Sequence, residues 1–392
     1  MRSVGTTKWA TLLAIILAGV ITSGATAASY TITDLGTLGG TSSYGTGIND
    51  SGQVSGYSYF ADDSRPYEFF YDGSDMHNLL GANSYGMGIN DSGSVTGSSS
   101  YLYEHWERVW VSIFQSEWRL LWSEWRESAF TIGPNSYREL GSLGGNHTGG
   151  TGINDNNQVT GYSSTSGQNG FHAFITDGYG GMQDLGTLGG TSSYGFGINN
   201  SGQVTGASSV SGGDEHAFLY NGGPLQDLGT LGGALSAGRA INDSGQVTGE
   251  STTSDNERHA FVYDEGIMHD LGTLGGTDSV GQGINDSGQI TGHSTTIDGV
   301  QHAFLYDSNL GRMFDLNQLI DPLSGWTLRA ATDINNVGQI TGSGIINGET
   351  HAFILTPDTP PAVVPVPAPA ALGLLGMGLM SAVGRRRKSV QV

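Results

Sequence analysis

The sequence predicts an all-β protein, a seven-bladed β-propeller of four-stranded blades whose ring closes by pairing the N-terminal strand with the last blade. Three observations predict it. The first is composition: 392 residues hold 65 Gly and 10 Pro, about a fifth of the chain against roughly 12% in average proteins, which disfavours helices. The second is a repeat. Asp-Leu-Gly-Thr-Leu-Gly-Gly is followed by Ile-Asn-Asp-Ser-Gly-Gln-Val-Thr-Gly and then by His-Ala-Phe-Leu-Tyr, and the Ile of the Ile-Asn pair recurs at Ile48, Ile89, Ile153, Ile198, Ile241, Ile284 and Ile334, at spacings of 41, 64, 45, 43, 43 and 50. Four short strands per ~43 residues is the period of a propeller blade. The third is phase. The repeat region opens with a lone fourth strand, Tyr30-Thr31-Ile32-Thr33-Asp34-Leu35-Gly36, and its last copy stops after a third strand, His351-Ala352-Phe353-Ile354-Leu355. Joining the two ends completes a seventh blade, whereas an open solenoid would gain nothing from that phase.

Residues 1–27 have a basic start (Arg2, Lys8), an apolar run from Trp9 to Ile21 and a small-residue end at Ala25-Thr26-Ala27, the layout of a secretory signal peptide. The repeat region then runs from 28 to 357. In the copy around Ile284 the strand candidates are Val280 to Ile284, Gln289 to Gly292, His302 to Tyr306 and Met313 to Leu316. Asn285-Asp286-Ser287-Gly288 is the turn between the first two: Asn and Asp can bond their own backbone, and Gly supplies a positive φ. The same turns invite a calcium reading, but each offers only one or two side-chain ligands, so a plain hairpin is expected. Small residues in the first strand, as in Tyr194-Gly195-Phe196-Gly197 and Ala237-Gly238-Arg239-Ala240, suit strands crowded round an axis. The His of each intact His-Ala-Phe is expected to bond backbone within its own blade rather than to share a metal.

One copy breaks the pattern. From the Gly closing the second strand to the Phe of the third the count is usually 12, as from Gly249 to Phe261, but from Gly97 to Phe130 it is 33. The insert, residues 101–127, holds Trp106, Trp110, Trp118, Trp122 and Trp125, five of the seven Trp in the chain, and Ser116-Glu117-Trp118-Arg119 is nearly repeated at Ser123-Glu124-Trp125-Arg126. With Phe114 and Leu121 these Trp approximate helical spacing, so an amphipathic helix is expected, either packed down as a lid or presenting aromatic rings to a sugar or a partner. These five Trp are the candidate ligand-binding residues.

The tail comprises a Pro-rich linker, 358–367, ending Val364-Pro365-Val366-Pro367, then an apolar segment and a basic stop within 368–392, with Arg385-Arg386-Arg387-Lys388. As a helix the uncharged stretch would reach ~25 Å, enough for a thin bilayer, with the cations on the cytoplasmic side. The tail is similar to the PEP-CTERM sorting signal, although Val366 stands where the namesake motif has Glu. The resemblance implies transient inner-membrane anchoring and removal by an exosortase-type protease, in bacteria that secrete extracellular polysaccharide. A plain C-terminal anchor would have the same three parts. Residues 30 to 355 resemble the HAF-repeat family of exported bacterial proteins, with the triplet intact at His172, His216, His259, His302 and His351 and altered at Tyr67-Glu68-Phe69 and Ser128-Ala129-Phe130. That resemblance implies a surface or matrix location and no established activity.

Charge narrows the partners. Between the two ends lie nine Arg, no Lys and 36 acids, a formal −27, which repels nucleic acid and anionic lipid. No Cys is present, so there are no disulfides or thiolate sites. No nucleophile elbow, phosphate-cradling Gly-Lys-Ser/Thr loop or His-Glu-x-x-His occurs, and the acids that leave the repeat, Asp62, Asp63, Asp214 and Glu215, are not spaced to single out a catalytic pair. The expectation is a binding protein for extracellular polysaccharide or another envelope component, with no cofactor or metal. A glycosidase or lyase on the same scaffold and a non-binding surface spacer are the alternatives.

Overall fold

The computed structural model describes residues 29–358 apart from 62–63, 113–114, 135 and 168–169, and at 103, 105–112 and 115–122 it describes the backbone only. The expected signal peptide (1–27), all of the linker beyond 358, and the apolar segment with its basic stop lie outside the described residues. So do Val364, Pro365, Val366, Pro367, Arg385, Arg386 and Arg387 of the sorting signal, and Asp62 and Asp63. Among the described residues every regular element is a strand except one turn of 3-10 helix, Leu316–Gln318.

Each copy of the repeat forms an up-and-down antiparallel meander. Around Ile284 the strands are Gly275–Ile284, Ile290–Thr296, Gln301–Asp307 and Arg312–Asp315, paired in that order. The first strand starts earlier than its side-chain pattern suggests, because Gly275 already pairs with Thr296 across an irregular step. The N-terminal strand Tyr30–Asp34 lies antiparallel to Glu349–Pro357, with Tyr30 opposite Pro357 and Asp34 opposite Phe353.

The invariant parts of the repeat explain themselves locally. At Asn49-Asp50-Ser51-Gly52 the Asn49 carboxamide oxygen accepts from the amides of Ser51 (3.1 Å) and Gln53 (2.9 Å), and Gly52 takes φ +75°. The Asp of this turn does not bond its own loop as expected. Asp91 Oδ1 instead accepts from the amide of Asp50 (2.9 Å), one copy away, because Asn49 already satisfies the local amides. The His of His-Ala-Phe likewise departs from expectation: it meets a carboxylate, not backbone. His216 Nδ1 lies 2.9 Å from Asp227 Oδ2 and His351 Nδ1 lies 2.8 Å from Asp34 Oδ1, so the imidazole latches the third strand to the Asp of Asp-Leu-Gly on the fourth. That same Asp accepts from the following Gly amide, as Asp227 does from Gly229 (2.8 Å).

Consecutive copies share their cores. Ala260 and Leu271 pack with Ile284, Ile290 and Phe304 of the next copy. The Phe of the triplet, Phe69, Phe130, Phe174, Phe218, Phe261, Phe304 and Phe353, is fully buried in every copy, each burial contributing about 1.5–3 kcal/mol. Ser279 stitches two copies together, accepting from Ala260 N (2.8 Å) and donating to Gly272 O (2.6 Å). Beneath each Phe sits the Gly of Val-Thr-Gly. A Cβ at Gly249 would lie only 1.9 Å from Ala237 O, so Gly249→Ala should force the backbone pair apart and cost about 3 kcal/mol, measured as a drop in the denaturant midpoint with the slope unchanged. A midpoint within error of the parent would refute this close approach.

Candidate functional site

The insert does not form the expected helix. It is a long two-stranded ribbon, Val95–Ser112 paired with Gln115–Gly133, 18 and 19 residues against six to nine in the equivalent strands of other copies. The reason is physical: the flanking strands are already paired, so the ladder lengthens one residue pair at a time, whereas a helix would need its own costly nucleus. Trp, Tyr and Val also favour strands.

The register sets the placement of each predicted residue. Leu102 lies opposite Trp125, Trp106 opposite Leu120, Arg108 opposite Trp118, Trp110 opposite Ser116 and His105 opposite Trp122, with an irregular step between His105 and Trp106. Directly opposed residues share a face and alternate residues along a strand do too. Trp106, Trp110, Trp118 and Trp125 therefore fall on one face of the ribbon, with Leu102 and Leu120, and Trp122 falls on the other. At the described base of the ribbon Trp125 is 60% and Leu102 46% exposed.

The base is anchored to the next copy. Asn146 Nδ2 donates to Glu124 Oε2 (3.0 Å), Tyr162 Oη donates to Glu127 Oε1 (3.0 Å), and His147 pairs with Glu127 in parallel. On one side of the ribbon Tyr44 stacks on Tyr57 at 4.9 Å and Tyr85 meets Tyr57 edge-on at 5.2 Å. Burial pushes the Tyr57 phenol up to about 12. On the other side Phe171, Tyr162 and Tyr194 form a triangle with centroid spacings of 5.6 to 5.8 Å. Burial and the neighbouring Glu127 carboxylate raise the Tyr162 phenol further still.

Around the centre, equivalent positions carry different chemistry. Two residues before each Ile stand Thr46, Met87, Thr151, Phe196, Arg239, Gln282 and Thr332. The Thr residues bond across copies, Thr46 Oγ1 donating to Gly86 O (2.8 Å) and Thr332 Oγ1 to Gly45 O (2.8 Å). Arg239 instead lies over the Phe196 ring at 4.7 Å and binds Glu250, Nε to Oε2 being 2.9 Å. Sequence reasoning passed over Phe196 and Arg239 because it used only the glycines beside them. Their signal was available as departures from the repeat in one column. Of the acids noted as non-repeating, Glu215 lines the cavity beside Arg239, together with Tyr194, Glu250 and Arg258.

At the turn end, a cavity of about 190 Å³ is lined by the Ile-Asn pairs of all seven copies, followed by Asp in five and by Asn200 and Asn336 in the other two. The Asn side chains donate from copy to copy, Asn49 to Asn90 O (3.0 Å), Asn199 to Asn242 O (3.0 Å) and Asn285 to Asn335 O (3.1 Å), while Asn335 donates to Asn49 O (2.8 Å). Asp333 occupies a position that is Gly or Ala in the other copies. Its carboxylate accepts from Ile48 N (3.0 Å) and Ile334 N (2.9 Å), and burial holds its pKa up at about 7 despite these donors. Among the described residues no group of three or more His, Asp or Glu is arranged to hold a metal ion.

The C-terminus carries a PEP-CTERM protein-sorting motif, matched over residues 365–388, which marks an exported, envelope-associated protein. No curated protein sequence matches the chain. Among solved structures, TolB from Acinetobacter baumannii is similar at 9% identity over 78% of this chain and 63% of that one, with a TM-score of 0.42. A putative TolB from Agrobacterium tumefaciens is similar at 10% identity over 67% of this chain and 99% of that one (TM-score 0.40), and a puromycin-hydrolyzing peptidase from Mycobacterium tuberculosis at 13% over 72% and 46% (TM-score 0.46). The chain thus spans less than two thirds of the Acinetobacter protein and about half of the peptidase. Among the described residues no helix is long and apolar enough to cross a membrane.

Proposed function

We propose that the chain is an exported HAF-repeat protein, folded as a closed seven-bladed β-propeller, that binds extracellular polysaccharide through the face carrying the aromatic ribbon. Closure is supported by the pairing of Tyr30–Asp34 with Glu349–Pro357 and by the Asn335 to Asn49 hydrogen bond, which returns the copy-to-copy series to its start. Cleavage by an exosortase-type protease then releases the protein from a transient membrane anchor to the cell surface or matrix, and the 1–27 signal peptide starts that route.

One observation carries the binding reading: a ribbon that extends the second copy's hairpin, with four Trp on one face and exposed apolar residues at its base. Flat aromatic rings suit the apolar faces of sugar rings, and loops on a rigid scaffold are where recognition residues concentrate. Binding is favoured over catalysis because the carboxylates described at the ribbon base are engaged in anchoring contacts, Glu124 with Arg126 and Asn146, Glu127 with Tyr162, and Glu139 with Ser128. The test is retention of the protein on extracellular polysaccharide from a bacterium bearing the matching sorting protease, with residues 101–127 replaced by a loop of the usual length. The replacement should weaken retention at least tenfold. Unchanged retention sinks the ribbon as the recognition element, and release of reducing or unsaturated sugar ends by the parent would make the protein an enzyme.

A further inference from the structure

Beyond the ribbon the molecule holds a second recognition feature that the repeat does not require. Between the meanders of the copies around Ile198 and Ile241 lies a cavity of about 510 Å³, within the ~300–1,000 Å³ range of small-molecule pockets. Its wall combines aromatic planes, Tyr194 and Phe196, with a planar ion pair, Arg239 and Glu250. At these two charged positions the other copies carry Thr, Met, Phe or Gln in the first strand and Tyr, Ser, Ala or His in the second, so packing alone does not demand the pair. Only 12% of the Glu250 side chain is exposed, so its charge is held in place by Arg239. Arg239 uses Nε and Nη2 on Glu250, and among the described residues no acceptor is bonded to its Nη1 amino group. A guanidinium fixed between an aromatic face and a carboxylate is a rigid donor array, while the carboxylate supplies the acceptor; adjacent hydroxyls on a sugar ring need both.

We infer that this cavity binds one sugar unit of a neutral polysaccharide. Neutrality follows from charge. Glu215 and Glu250 balance Arg239 and Arg258 along the lining, leaving no net cation to hold a uronate or sulfate. The surrounding body, with 36 acids and nine Arg, repels a polyanion before contact. The aromatic triangle of Phe171, Tyr162 and Tyr194 lies between the ribbon base and the cavity, Tyr162 bonding Glu127 at one end and Tyr194 lining the cavity at the other. One extended chain can therefore touch both features. This inference rests on the polysaccharide-binding reading and adds the ligand's charge class and a second contact point.

The test is affinity electrophoresis of the full chain through gels containing a soluble β-1,3-glucan, galactomannan, dextran or alginate, with Phe196→Ala, Leu235→Trp and the 101–127 replacement run beside it. Leu235 is 47% exposed at the cavity wall, so Trp there blocks entry without touching the core. Circular dichroism and the melting temperature confirm that each variant is folded. Retardation by at least one neutral polymer and none by alginate, weakened at least tenfold by both cavity variants, is the expected result. Retardation of the parent that both folded cavity variants retain overturns the cavity while leaving the ribbon reading intact. Retardation by alginate equal to or stronger than that by the neutral polymers overturns the assigned charge class. No retardation of the parent by any of the four polymers overturns the inference and, with failure on the native matrix polymer, the binding reading with it.

Discussion

Deletion of residues 29–36 is expected to abolish cooperative folding. The deletion strips a five-residue antiparallel ladder from Glu349–Pro357 and removes Tyr30 and Leu35, which are 5% and 7% exposed. It also removes the Asp34 carboxylate that latches His351, and the Gly36 carbonyl that accepts from Ser43 Oγ. Burial at about 1.5–3 kcal/mol per large side chain and about 1 kcal/mol per hydrogen bond put the loss on the order of 5 kcal/mol or more. That is the whole stability of many domains. The consequence is larger than for any other single strand of equal length, because this strand joins residues more than 300 positions apart and its loss leaves Glu349–Pro357 as an unpaired edge. Thermal unfolding followed by circular dichroism decides it, with removal of residues 108–117 from the ribbon tip as the control. A midpoint within about 3 °C of the parent after the strand deletion would show that the ends do not hold the molecule together.

Glu68 should make the protein less stable as pH rises from about 5 to 8. It stands where the intact triplets place Ala. It is fully buried, and among the described residues neither carboxylate oxygen has a hydrogen-bond partner. Room for it comes from Gly86 in the next copy, which lies so close that a Cβ there would sit 3.0 Å from Glu68 Cγ. Desolvation raises the Glu68 pKa from 4.5 to about 8. The folded state therefore holds a proton that the unfolded state releases above pH 4.5, and stability falls by about 1.4 kcal/mol per pH unit through that window, levelling off near 8. Asp333, raised to about 7, slopes the same way from about 4 upward. Glu68→Gln should remove the larger part of this slope, leaving stability nearly unchanged at pH 5 and increased by a few kcal/mol at pH 8. Denaturant unfolding of both proteins at pH 5, 6.5 and 8 measures it; parallel lines for parent and variant would mean that Glu68 is not held neutral in the fold.

Much of the architecture was legible because the repeat states the same physical demand seven times. The hairpin at Asn-Asp-Ser-Gly, with its Asn bonding the local backbone and its Gly at positive φ, is legible from one copy because those contacts lie within the turn, whereas the Asp bonds the neighbouring copy and its role is not. The His and Asp of His-Ala-Phe and Asp-Leu-Gly were visible as recurring in five copies, yet their meeting was not, because the partner lies 11 to 13 residues away or, for His351, at the far end of the chain. The ribbon was legible as an insertion and not as strands. Its Trp spacing fits a helix equally well, and only the ladder already formed on either side decides between them.

By itself the sequence determined the class of structure, the number of copies, the phase that leaves a strand to be supplied from the N-terminus, and the export signal at the C-terminus. These are properties of period and composition, which survive without coordinates. Tertiary structure alone decided which departures from the repeat meet. Arg239, Glu250, Tyr194 and Phe196 lie up to 56 residues apart and come from two copies, so no local pattern unites them. They converge because equivalent positions of neighbouring meanders are brought side by side, and the repeat that hides each residue in the sequence is what places them together in space.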